Sequence, residues 1–266
     1  MKKGLWILFF LVLLIISFVG SQALLASAVV LKVGASPTPH AEILTQIKPL
    51  LSKEGIDLQI IEFQDYVQPN LALAEGELNA NFFQHVPYLT EFSRDHKLDL
   101  TYIAKVHIEP MGIYSKKIKS LKELGNNATV TIPNDPTNGG RALLLLQNAK
   151  LITLRKDAGL SATELDIVKN PKGLQVKPLE AAQLPRTLTD VDIAVINTNY
   201  ALPANLIPAK DALFIENSNS PYANILAVRT KDKNNPALKK LAKALTSKTV
   251  KDFILTKYKG SIVPVF

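Results

Sequence analysis

Apolar positions along the chain recur in two periods, one of strands and one of helices. Val30–Ala35 (VLKVGA) and Leu58–Phe63 (LQIIEF) read as short buried strands. Between them Ile43, Ile47, Leu50 and Leu51 fall at helical spacing within Pro39–Glu54, and Gly55 ends the run. A strand, a helix and a second strand in that order predict a parallel pair joined by a right-handed crossover. The alternation continues with a helix at Asn70–Gly76, a strand at Leu78–Phe83 and a helix near Pro87–His96. Two β-rich stretches, Leu100–His107 and Gly112–Tyr114, then flank Glu109-Pro110.

A second series follows. Leu121–Leu124 reads as a short helix, Ala128–Ile132 as a strand and Gly140–Ile152 as an apolar helix. Leu174–Pro178 and Asp192–Ile196 are strands around a helical piece at Ala181–Leu188. Ala223–Arg229 is the last clear strand, and Pro236–Tyr258 holds one or two amphipathic helices. The expected fold is α/β, in two lobes with a ligand cleft between them. Residues 29–110 begin lobe one, 111–220 make lobe two, and 221–266 return to lobe one, because a terminal helical pair with an apolar face needs a sheet to cover. Two connections between the lobes make a hinge.

Residues 1–28 stand apart. Lys2 and Lys3 precede an apolar run from Leu5 to Val19, and Ala26-Ser27-Ala28 closes the segment. This is the pattern of an export signal, although an apolar stretch of that length, left uncleaved, could span a bilayer. Its removal takes away two lysines and no acids, so the formal net charge falls from +8 to +6. The remaining lysines cluster modestly in the C-terminal helices (Lys239, Lys240, Lys243, Lys248, Lys251), which reads as a solvated face, and no nucleic-acid partner is expected. With 47% hydrophobic and 20% charged residues, the 266-residue chain as a whole is composed like folded protein.

Candidate chemistry is sparse. The chain has no cysteine, which excludes disulfides, thiol nucleophiles and thiolate metal sites. Its four histidines (His40, His85, His96, His107) form no H-x-H or H-x3-H pair, so local spacing predicts no metal site. No cofactor fingerprint, phosphate-binding loop or G-x-S-x-G is present, and binding is expected rather than catalysis.

Three clusters suit a ligand. In NDPTNGGRALLLLQ (134–147) two glycines precede an apolar helix, with Arg141 in the expected first turn. A cation there opposes the helix dipole, unless an anion binds the free N–H groups and the guanidinium together. On that view the loss of Arg141 leaves the fold intact or slightly more stable. The alternative is an exposed arginine, or one paired with an acid such as Asp135. In NANFFQHVPYL (79–89), Phe82, Phe83, His85 and Tyr88 gather ring faces at a strand-to-helix junction, although one phenylalanine must face the core. Asn199, after the strand Asp192–Ile196, and Asn224, in SPYAN (220–224), carry amides able to meet an ammonium or a carboxylate, or to close their own turns.

Taken with DYVQPNLAL (65–73), HIEPMGIYSKKIKSL (107–121), LEAAQLPRTL (179–188) and AVINTNYAL (194–202), these segments closely resemble the NlpA-type, D/L-methionine-binding lipoproteins. Those are extracytoplasmic receptors of methionine-importing ABC transporters. The resemblance covers essentially the whole mature chain and implies the two-lobed periplasmic-binding-protein fold. It further implies that L- or D-methionine is the ligand and that the membrane permease and ATPase of an importer are the partners. Arg141 would clamp the ligand carboxylate, Asn199 and Asn224 would hold the carboxylate and ammonium, and Tyr66, Phe83, His85 and Tyr88 would line a thioether slot. Ligand bridging the lobes would favour the closed state. The family's signal usually ends in a lipid-bearing cysteine, which this sequence lacks, so a protein released into the periplasm, or held by an uncleaved signal, is expected. Another small apolar amino acid, a methionine-containing dipeptide, or a surface adhesion role on the same fold are the competing readings.

Overall fold

Two separate sheets collect the longer strands of the protein, seen in a computed structural model that describes residues 28–217 and 220–266. The first takes β1 (Val29–Ala35), β2 (Ile56–Glu62), β3 (Ala80–His85) and β4 (Leu100–Ile108). The second takes β5 (Gly112–Tyr114), β6 (Thr129–Pro133), β7 (Gln175–Leu179), β8 (Ile193–Ile196) and β9 (Phe214–Ile215). The chain then re-enters the first sheet as β10 (Ala223–Arg229) and β11 (Val263–Pro264). The strand orders are β11-β4-β10-β3-β1-β2 and β9-β5-β8-β6-β7.

Parallel pairing of β1 with β2 and β3 follows from the intervening helices α1 (Glu42–Ser52) and α2 (Gln68–Glu75). Strand β10 enters from the other direction and wedges antiparallel between β3 and β4. Its register sets Asn224 opposite both His85 and His107, and this brings three polar side chains to one end of the sheet. Strand β3 is buried along its whole length. Its polar members are tolerated because Asn81 and Gln84 bond Asn70 of α2 in a closed amide network.

Each sheet has its own apolar core. Leu31, Val33, Ile43, Ile47 and Phe82 pack with Leu241 and Ile254, contributed by the C-terminal helices, in one cluster. Ile113, Val130, Ile132, Leu143 and Leu146 lie in another. The chain passes between the sheets at residues 109–111 and again after Ile215. Of the segment expected to be an export signal, 1–28, residues 1–27 lie outside the described residues, and among those described no helix is long and apolar enough to cross a membrane.

Helix boundaries differ from expectation at one place that matters. After α3 (Val86–His96), the next long helix, α4, spans Pro136–Asn148 rather than beginning at Gly140. Asp135 is its N-cap and accepts from the Asn138 N–H at 2.9 Å, while Pro136 fits the first helical position. Arg141 is therefore the sixth helical residue, in the second turn. Gly139 and Gly140 serve packing, not a turn that admits a ligand. A Cβ on Gly140 would lie 2.2 Å from the Leu160 carbonyl oxygen, so only glycine lets that loop rest on the helix.

Candidate functional site

The ends of β3, β4, β8 and β10 converge with α4 on one small cavity between the two sheets. All seven side chains singled out from the sequence line it: Tyr66, Phe83, His85, Tyr88, Arg141, Asn199 and Asn224. Gln84, Glu109, Asn138, Asn197 and Thr198 complete the wall.

One end is aromatic. Tyr66, Phe83 and Tyr88 form a triangle with centroid separations of 5.8–6.1 Å. Phe82, its neighbour in β3, points the other way into the core against His40, as strand alternation requires. Tyr88 Oη donates to the Tyr66 carbonyl at 2.8 Å, and burial pushes both phenols up from their ordinary pKa. His85 is more than a ring in this wall. Its Nδ1 accepts from the Tyr88 N–H at 3.1 Å and caps α3, which leaves the proton on Nε2, 3.1 Å from Asn138 Oδ1. Burial lowers its pKa to about 3, so the imidazole is neutral and serves as a bridge between the lobes. Tyr66 Oη donates to Asn199 Oδ1 at 2.5 Å, and Tyr200 Oη to the Gln64 carbonyl at 2.9 Å, as two further bridges.

The other end is polar, and its hydrogen bonding is unfinished. Asn199 Nδ2 is a buried donor, and Asn197 Oδ1 a buried acceptor, without a protein partner. Asn197 Nδ2 donates to Asn138 Oδ1, which fixes its amide with the oxygen turned away. A buried donor and a buried acceptor left open in one cavity are costly unless a polar ligand meets them.

Arg141 is only 3% exposed, and its partner is neither solvent nor Asp135. Its Nε and Nη2 donate to Glu216 at 3.0 and 2.5 Å, Nη2 also reaches the Glu109 carbonyl at 2.7 Å, and the guanidinium lies 4.2 Å from the Tyr222 ring centroid. Sequence inspection missed Glu216 because the pair joins α4 to the distant segment after β9. The helix N-terminus offers no open anion site either, since Asp135 caps it. Both points correct the expectation that one anion satisfies the arginine and the helix dipole together.

Glu109 is the second residue that sequence inspection missed. It is buried just past β4, with Oε1 2.7 Å from His107 Nε2 and 3.2 Å from His40 Nε2, and its carboxylate accepts from the Asn199 N–H. Desolvation raises its pKa, with His40 and Arg141 opposing. Spacing along the chain did not forecast this grouping, whose donor atoms all lie within 4.8 Å of one another. The chemistry is that of a hydrogen-bonded carboxylate. Metal-ligating imidazoles normally donate their second N–H to an acceptor, yet Nδ1 of both His40 and His107 is buried without a partner. A proton on each Nε2, donated by His107 to Glu109 and by His40 to Asn224 Oδ1, leaves only a lone pair at Nδ1. Burial correspondingly holds the two pKa values down to about 4 and about 3.

The family model for NlpA lipoprotein matches residues 31–266. A D-methionine-binding lipoprotein MetQ from Salmonella typhimurium is 46% identical over 213 residues, 79% of each chain. A nutrient binding protein from Burkholderia cenocepacia, solved bound to methionine, is 51% identical with a TM-score of 0.87 and covers 89% of this chain and 100% of its own. A periplasmic substrate-binding protein of an ABC transporter from Coxiella burnetii is 45% identical with a TM-score of 0.85, over 88% of this chain and 100% of its own.

Proposed function

Since the chain belongs to the NlpA lipoprotein family, we propose that it is the extracytoplasmic substrate-binding protein of an ABC importer and that it captures methionine between its lobes. The observation that carries this reading is the division of the cavity. Three rings stand at one end, and open groups of both hydrogen-bonding polarities stand at the other. A zwitterionic amino acid with an apolar side chain fits that division. Its carboxylate would meet Asn199 Nδ2, Asn224 and the guanidinium edge that Glu216 leaves open. Its ammonium would meet Glu109 and Asn197 Oδ1. The side chain would lie against Tyr66, Phe83 and Tyr88, with His85 holding the lobes together behind them. Residues 29–110 with 221–266, and residues 111–220, would be the two units that close on it. The cavity has no nucleophile placed with a base, which favours carriage over catalysis.

Methionine released from denatured protein and identified by mass spectrometry would test the ligand and its chirality. In calorimetry methionine should bind at about micromolar Kd or tighter, roughly −8 kcal/mol. It should outbind leucine and norleucine by roughly 2- to 10-fold, since sulfur against rings contributes about 0.3–1.5 kcal/mol. Sub-micromolar binding of glutamate or lysine would sink the methionine reading, because the residues lining the aromatic end, Tyr66, Phe83 and Tyr88, carry no charge to pair with such a side chain.

Residues 1–28 are read as the export signal. N-terminal sequencing of protein from its native envelope should begin at Val29. Intact Met1–Ala28 in the membrane fraction would replace cleavage with retention.

A further inference from the structure

The reading of Glu109 as the ammonium acceptor leaves His40 and His107 without a role. Both rings are buried and neutral, and both stand edge-on to Phe82, at 4.7 and 5.4 Å between centroids. Neither lines the cavity. Yet His107 Nε2 donates to Glu109 Oε1 at 2.7 Å, and His40 Nε2 lies 3.2 Å from the same oxygen while donating to Asn224 Oδ1 at 3.0 Å. Three separate elements, the turn after β1, the end of β4 and the start of β10, are spent on steering one carboxylate and one amide.

We propose that His107 and His40 are positioning residues: the His107 Nε2–H holds the Glu109 carboxylate ionised and turned toward the ligand, while the His40 Nε2–H fixes the Asn224 amide beside it, and the His107 contact so sets the preference for α-amino acids over their deaminated analogues. The physical need is plain. A carboxylate buried this deeply favours its neutral form unless donors compensate the lost water. An ammonium in the cavity is attracted only to the ionised form, so the His107 donor prepares the charge before ligand arrives. Imidazole rings suit the task because each supplies one donor without adding a cation to repel the ammonium.

This inference rests on the Glu109 reading, and the experiment separates the two. Methionine and 4-(methylthio)butanoate, which is methionine without its amino group, are titrated into wild type, Glu109→Gln, His107→Leu and His107→Gln between pH 5 and 8. The charged and titratable groups around the carboxylate are His40, His107 and Arg141, with the Tyr66 and Tyr258 phenols feeling its charge. His107→Leu, which keeps the bulk and removes the donor, should lower the methionine-to-analogue affinity ratio about tenfold or more. It should also raise the pH below which methionine binding fails. His107→Gln, which restores a neutral N–H, should recover most of the ratio. Equal weakening of both ligands in His107→Leu would mean a merely structural ring and would overturn the proposal, as would an unchanged ratio and profile. If Glu109→Gln itself leaves methionine binding unchanged, the ammonium reading fails. If it weakens binding while His107→Leu does not, only the positioning role fails. Should His107→Leu not fold, His107→Met carries the same comparison.

Discussion

Arg141→Ala should both lose methionine binding and melt roughly 10 °C below the wild type. The second effect reverses what the sequence suggested, that removing a cation near a helix start costs nothing. Arg141 is buried and forms a two-pronged pair with Glu216, whose side chain is only 12% exposed. Breaking a buried pair by deleting one partner costs about 3–5 kcal/mol, because the other charge is left uncompensated. For a chain of this size that is roughly 10 °C in Tm. The location adds to the effect. Arg141 bonds the Glu109 carbonyl in the first passage between the sheets and Glu216 in the second, and Glu216 Oε2 also accepts from the Met111 N–H. One guanidinium thus ties both connections to α4. Truncation should cost about 2–5 kcal/mol of methionine affinity as well. Arg141→Lys should recover part of each effect, since an ammonium cannot reproduce the planar fork. Replacing both partners, Arg141→Met with Glu216→Leu, should restore most of the melting temperature while binding stays weak. Wild-type affinity in Arg141→Ala would move the carboxylate contact elsewhere, and an unchanged melting temperature would deny the clasp.

Glu109→Gln should cost about 2–5 kcal/mol of methionine affinity, as expected when one partner of a buried charge pair is removed. It should also flatten the pH dependence. Burial raises the Glu109 pKa in the free protein. A ligand ammonium favours the ionised form and lowers that pKa in the complex. Binding is therefore complete above the free-state pKa and weakens as pH falls through it, approaching about tenfold per unit. The window lies on the neutral side of the ordinary glutamate range, because the shift is upward. Calorimetry from pH 5 to 8 reads both effects. A wild-type affinity that stays level over that range, together with tight binding by Glu109→Gln, would assign the ammonium to Asn197 and its neighbours alone.

How much of this was legible without coordinates varies with the range of the interaction. The period of apolar positions located the longer strands, since burial on a sheet is written locally as alternation or a short apolar run, but it missed short ones such as Phe214–Ile215 and Val263–Pro264. The strand-to-helix junction, the glycine-rich helix start, the turn asparagines and the family resemblance together chose seven side chains, from Tyr66 to Asn224, and these line one cavity. The start of α4 was misjudged because glycine usually punctuates a turn. There it relieves contact with the Leu160 loop, a constraint carried by residues far along the chain. Glu109 lay in plain view beside Pro110, but nothing local shows that it is buried or that His40 will meet it.

The sequence by itself determined the α/β order, the return of the C-terminal strand and helices, the resemblance to a receptor family and the strand ends that carry the site. Those features depend on neighbours in the chain and on periodicity. Tertiary structure alone decided the charges. It paired Arg141 with Glu216, buried Glu109 against His107 and brought the distant His40 beside it, and it left Asn197 Oδ1 and Asn199 Nδ2 open. The reason is physical: the state of a buried charge depends on which groups surround it in space, and in this fold those groups arrive from both lobes and from three strands of the first sheet.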